Sequence, residues 1–165
     1  MNVMTHYMEL LVTNEPWNLI LFMAIPVILA ETLAITELII LFSRNLTGGT
    51  RMVNKIAGIF AGFYFTGVFI YLFTHAVIPL TVSGGWRGPA DVIAVGFYLS
   101  GIIPFVGMAL LELGIIGRNK DEIAKLKLHA ILVGIFLVVA HIAMIFGMVD
   151  PSLLMLTPTT PMAAM

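Results

Sequence analysis

The sequence predicts an all-α integral membrane protein, an up-down four-helix bundle with both termini on the outer side. Three observations carry this. Of 165 residues, 60% are hydrophobic and 10% charged, with a mean hydropathy of +1.06, far outside the composition of water-soluble domains. Four apolar stretches alternate with short polar connections, each long enough at about 1.5 Å of rise per residue to cross a ~30 Å hydrocarbon layer. Basic residues are sorted by connection. Arg44, Arg51 and Lys55 flank the first and Arg118, Lys120, Lys125 and Lys127 the third, whereas the second and both tails hold only Arg87. The positive-inside rule therefore places the first and third connections in the cytoplasm of a cell membrane.

One bundle is expected over residues 1–165, because no polar stretch is long enough for a second core. No basic patch suits nucleic acid. Without cysteine there is no disulfide, thiol nucleophile or thiolate metal site. The N-terminus lacks a basic region followed by an apolar core and a small-residue cleavage site, so it does not read as a cleaved signal peptide.

Residues 3–12 fit a short amphipathic helix on the membrane surface, with Met4, Met8, Leu11 and Val12 on one side. Asn14-Glu15-Pro16 reads as a helix start, and Trp17 as an interfacial anchor. The spans are expected at about 17–43, 55–80, 90–116 and 126–149, with Pro26 and Pro104 as internal prolines. Gly48-Gly49 signals a turn, Pro89 opens the third span, and Asp150-Pro151 ends the fourth. The proline- and threonine-rich tail, 150–165, reads as irregular. Gly58 and Gly62 form a GxxxG pair that serves either packing within the bundle or a homodimer face.

Six ionisable groups lie within the apolar spans. Glu37 and Glu112 fall about 9 to 11 Å inside the cytoplasmic boundary by helix rise, with His129 near that level. Two carboxylates and an imidazole facing one cavity relay protons or bind a divalent cation, unless Glu37 only pairs with a basic neighbour. Glu31 sits near mid-depth on the same helix as Glu37.

His75 and His141 lie roughly 7 and 14 Å below the outer boundary, on helices that occupy diagonal corners of an up-down bundle. Two neutral imidazoles approaching from opposite sides would ligate the iron of one haem b, with Gly134 leaving room for the porphyrin. The competing reading gives each histidine a hydrogen bond inside the bundle. The eleven methionines form no Met-x-x-Met series with histidine that would favour copper, and read as core filler.

The segments MAIPVILAETLAITELIILF, GGWRGPADVIAVGFYLSGIIP and LHAILVGIFLVVAHIAMIFGM resemble a family of small four-span membrane proteins, some labelled permeases, over about residues 15–152. In arrangement rather than motif the chain is also similar to four-helix membrane b-type cytochromes, though its histidines suffice for one haem only.

The leading expectation is a membrane redox protein with one haem b between His75 and His141, and Glu31, Glu37 and Glu112 handling protons coupled to electron or quinone chemistry. The alternatives are a proton- or cation-coupled transport protein using Glu37, Glu112 and His129 with Glu31 further along the path, and an accessory subunit of a membrane complex.

Overall fold

The structure is a computed structural model describing residues 4–154; the proline-rich tail lies outside the described residues from 155 onward. Four helices are long and apolar enough to cross a membrane, and no strand occurs among the described residues. A short helix α1 (His6–Val12) precedes the spans α2 (Trp17–Ser43), α3 (Gly49–Ser83), α4 (Pro89–Glu112) and α5 (Glu122–Met148), and a 3-10 turn at Pro151–Leu154 follows.

Three boundaries differ from the expected ones by four residues or more, all at the end of the bundle opposite the termini: the starts of α3 and α5 and the end of α4. Gly49 opens α3 rather than turning the chain, because Gly48 is extended and its carbonyl already accepts from the amides of Arg51 and Met52. Arg51 thus becomes a helical residue. At the other side α4 stops at Glu112, where Gly114 and Gly117 take positive φ (72° and 69°) and turn the chain toward α5. Asp121 caps α5 by accepting from the Ala124 amide at 2.8 Å.

Sequential helices pack side by side, and α2 meets α5 to close a square, with the thinnest contact of the four seams. Phe65, Phe105 and Phe136 fill the centre, their ring centroids 4.2 to 6.2 Å apart. Ile28, Ile35, Phe42, Phe63, Ile103 and Val138 are all more than half exposed on the outside, the surface a lipid solvent requires.

Gly58 and Gly62 do not present a dimer face. Both are buried inside the chain, where a Cβ on Gly62 would sit 2.4 Å from Ala109 Cβ and 2.8 Å from the Phe105 carbonyl. The GxxxG pair lets α3 approach α4 within one bundle.

Two of the spans widen into π-helical turns, Ile20–Ala24 in α2 and Phe73–Val77 in α3, each just before a proline. The cause is visible at Pro26. The Ile25 amide already reaches back five residues to the Ile20 carbonyl. Pro26, with no N–H, leaves Leu21 without a donor at that spacing and Phe22 without one at the α spacing. Both carbonyls are supplied by tyrosines from neighbouring helices: Tyr64 donates to Leu21 O at 2.8 Å and Tyr98 to Phe22 O at 2.5 Å. The kink is thereby a docking point for α3 and α4.

Helix α1 does not lie flat on its Met4, Met8, Leu11 and Val12 side. Met4 and Val12 are exposed, and the buried face is Thr5, Tyr7 and Leu11, packed onto the end of the bundle. Thr5 donates to the Gly147 carbonyl at 2.6 Å, and Tyr7 packs at a tilt of 44° against Tyr98 with centroids 5.2 Å apart. Asp91, fully buried in the first turn of α4, accepts from the His6 amide (2.7 Å) and the Arg87 amide (3.2 Å) and lies 2.5 Å from His6 Nδ1. Arg87 in turn donates to Met4 O and pairs with Glu9 at 2.5 Å.

Two tests follow from these contacts. Tyr98→Phe strands the buried Phe22 carbonyl and lowers stability in detergent by about 1–3 kcal/mol. Pro26→Ala restores a donor, so the Pro26→Ala/Tyr98→Phe double variant loses less than the sum of the single losses; strict additivity in circular-dichroism melts would refute the assignment. Asp91→Ala removes both contacts that hold His6 of α1, so proteinase K cuts within residues 6–12 much faster than in the wild type while the spanning helices resist.

Candidate functional site

The four spanning helices each send one ionisable side chain to a common buried point near the end opposite the termini. Glu37 comes from α2, Arg51 from α3, Glu112 from α4 and His129 from α5. Glu37 is 3% exposed and His129 not at all. Helical phase puts them there: Glu37 shares the buried stripe of Leu33, Thr36 and Ile40, and His129 lies between buried Leu126 and Val133.

His129 bridges the two carboxylates. Its Nδ1 is in direct hydrogen-bond contact with Glu37 Oε1, and its Nε2 faces Glu112 Oε1 at 3.7 Å, beyond hydrogen-bond reach. That Nε2 is the one buried side-chain nitrogen or oxygen without a hydrogen-bond partner among the described residues. Arg51 grips Glu112 through two parallel bonds of 2.7 and 2.9 Å. Asn54 extends the network, accepting from Arg51 at 3.2 Å and donating to Thr36 Oγ1 at 2.9 Å, while Thr36 donates to Thr32 O. On the other side Arg51 lies 3.8 Å from exposed Glu122, which Lys125 holds at 2.8 Å, so the network leads outward to solvent.

Charge counting defines what the cluster can do. With both carboxylates ionised, Arg51 balances one of them, and a neutral His129 leaves a net charge of −1. One proton on the imidazole or on a carboxyl makes the group neutral, the condition a site with little water favours. The imidazole touches one carboxylate and faces the other with a free nitrogen, so it is positioned to pass that proton between them.

The sequence reading grouped Glu37, Glu112 and His129, and the structure brings them together. It missed Arg51, taken as a connection charge, and Asn54. Their signal was phase: residues 51, 54 and 58 share one face of a helix once the helix is allowed to begin at Gly49. Glu112 also differs from its expected place, since it is the last residue of α4 and not a full turn inside the span. His6 and Asp91 went unnoticed because their partners are 85 residues apart.

Glu31 lies apart from the cluster. It is exposed and lines, with His141, a cavity of about 190 Å³ between α2 and α5. Phe22, Tyr98 and Phe136 form its aromatic wall, and Tyr7 of α1 also lines it. Burial pushes the Tyr7 phenol up to about 12, so it stays a neutral hydroxyl.

The histidines expected to hold haem do not fit an axial pair. His75 is exposed on α3, stacked on Tyr71 with centroids 4.6 Å apart and with Nδ1 3.0 Å from Tyr71 O. His141 is exposed on α5, its Nδ1 donating to Leu137 O at 2.6 Å. The cavity that His141 lines is not lined by His75, and the centre between α3 and α5 is filled by phenylalanines where a porphyrin slot was expected. Gly134 is exposed and faces open space. For a divalent cation, no group of three or more His, Asp or Glu side chains with metal-holding geometry occurs among the described residues, and Glu112 is engaged by Arg51.

Gly58 is where the site meets the packing of α3. A Cβ there would lie 3.0 Å from His129 Nε2 and 3.5 Å from Glu112 Cγ, whereas Gly67 faces open space. We expect Gly62→Ala to destabilise by about 1–3 kcal/mol, Gly58→Ala less, and Gly67→Ala not at all. Thermal melts in detergent check the order, and the ring nitrogen shifts of His129 in NMR move for Gly58→Ala alone.

Over residues 1–163 the chain matches the model of a family of unknown function, DUF6803, and it belongs to that family. Neither the curated proteins nor the solved structures give a match.

Proposed function

We propose that this member of a family without an assigned activity is an integral membrane proton-transfer protein of the proton-coupled transport class, with His129 carrying a proton between Glu37 and Glu112. The observation that supports it is the unpartnered, fully buried His129 Nε2 aimed at Glu112 while Nδ1 contacts Glu37. Arg51 holds Glu112 in place and balances one carboxylate, which leaves one proton for the imidazole and the two carboxyl groups to share.

The end bearing Arg51, Glu122 and Lys125 faces the cytoplasm in this reading, because the basic residues other than Arg87 gather there. Both termini then lie outside. A four-helix bundle is narrow for a solute path, so transport of anything larger than a proton runs between copies of the chain or with a partner subunit. The lipid-facing apolar surfaces of α2 and α5 are available for such contacts.

Purified protein in liposomes loaded with a pH-sensitive dye, with a potassium diffusion potential imposed, tests the proposal. Wild-type protein is expected to pass protons well above protein-free liposomes. Glu37→Gln and His129→Gln slow the flux roughly a hundredfold or more, the low end of what a positioned proton carrier contributes, whereas Glu15→Gln at the surface has no effect. A wild-type rate no higher than that of empty liposomes, with the same variants losing only thermal stability, would assign the cluster to holding the helices together.

A further inference from the structure

The cavity between α2 and α5 carries chemistry that the buried cluster does not use. Glu31 takes part in no hydrogen bond or ion pair among the described residues, yet it lies about 21 Å along the helix from Trp17. A carboxylate at that depth is costly unless something answers its charge. His141, across the cavity, donates through Nδ1 to the Leu137 carbonyl, which leaves Nε2 as a lone-pair acceptor. The faces of Phe22, Tyr98 and Phe136 are electron-rich. The Tyr98 hydroxyl is committed to the Phe22 carbonyl, so among these groups only Tyr7 retains a hydroxyl to donate.

A carboxyl group without a partner, an imidazole acceptor and aromatic rings all suit a cation with N–H groups. They are poorly matched to an anion, and equally to a quinone, whose carbonyl oxygens need donors. Size narrows the choice further. A dry cavity of about 150 Å³ accepts benzene, so about 190 Å³ takes one ring with a short arm. Access is lateral, through the thin α2–α5 seam on which Glu31 and His141 are exposed.

We propose that this cavity binds a small apolar primary ammonium, its nitrogen between Glu31 and His141 Nε2 and its apolar body against Phe22, Tyr98 and Phe136. The site stands on its own geometry and does not require that the buried cluster move protons.

Titration calorimetry of the full chain in detergent, with phenethylammonium chloride as the probe and protein-free micelles as the blank, tests it. Saturable one-to-one binding is expected. 2-Phenylethanol, with the same ring and no charge, binds at least about tenfold more weakly, and phenylacetate not at all. Glu31→Gln reduces phenethylammonium affinity by a similar factor with an unchanged melting temperature. Val27→Trp, at a half-exposed wall position, fills the cavity and abolishes binding. Phosphatidylethanolamine added to the micelles leaves the isotherm unaltered; displacement by it would mean that a lipid headgroup, and not a free amine, is the occupant. Equal affinity for the amine and the alcohol, or unchanged affinity in Glu31→Gln, would overturn the proposal.

Discussion

One cluster of buried charges takes a side chain from every spanning helix, and the arrangement of the bundle depends on it. Lipid tails are as apolar as leucine, so burying leucine between helices gains little from the solvent; close packing and polar contacts have to select the partner and the depth. Glu37, Arg51, Glu112 and His129 do this at the end opposite the termini. If one helix slid by a turn, a charged group would be left without its partner in a medium that tolerates that poorly. Gly58 belongs to the same constraint, because the imidazole occupies the space a side chain there would take.

The membrane architecture was legible in the sequence because hydropathy and span length act over twenty residues at a time and survive errors of a few residues. The buried cluster was legible in part for the same reason: carboxylates and imidazoles in apolar helices are few, and helix rise places Glu37 and His129 near one level. The failures all involve quantities that composition does not carry. Whether Gly49 turns the chain or opens a helix depends on one extended residue before it, and that choice decided whether Arg51 was a connection charge or part of the site. His75 and His141 matched in depth, but depth says nothing of rotation about the helix axis: both are exposed, and only His141 lines the α2–α5 cavity. Gly58 and Gly62 gave the signal of close helix approach without saying whether the partner is the same chain.

Proline has a constructive role here. In α2 it removes donors from two carbonyls, and tyrosine hydroxyls on two other helices replace them. An ordinary α-helix has no backbone acceptors to offer its neighbours in mid-membrane. The wide turn before Pro26 creates two, at positions the sequence specifies, so the irregularity provides orientation. It also shapes the wall of the α2–α5 cavity, since Phe22 lies in that turn.

The docking of α1 has a consequence for biosynthesis. Thr5 is joined to Gly147 and His6 to Asp91, contacts separated by 142 and 85 residues. As the ribosome delivers the chain, the N-terminal segment emerges first; its Asp91 partner arrives with α4, but its Gly147 partner only with the last span. Its attachment is therefore complete only after α5 is in place, and a chain truncated before α5 keeps a more loosely held N-terminal segment that a protease or quality-control factor can seize.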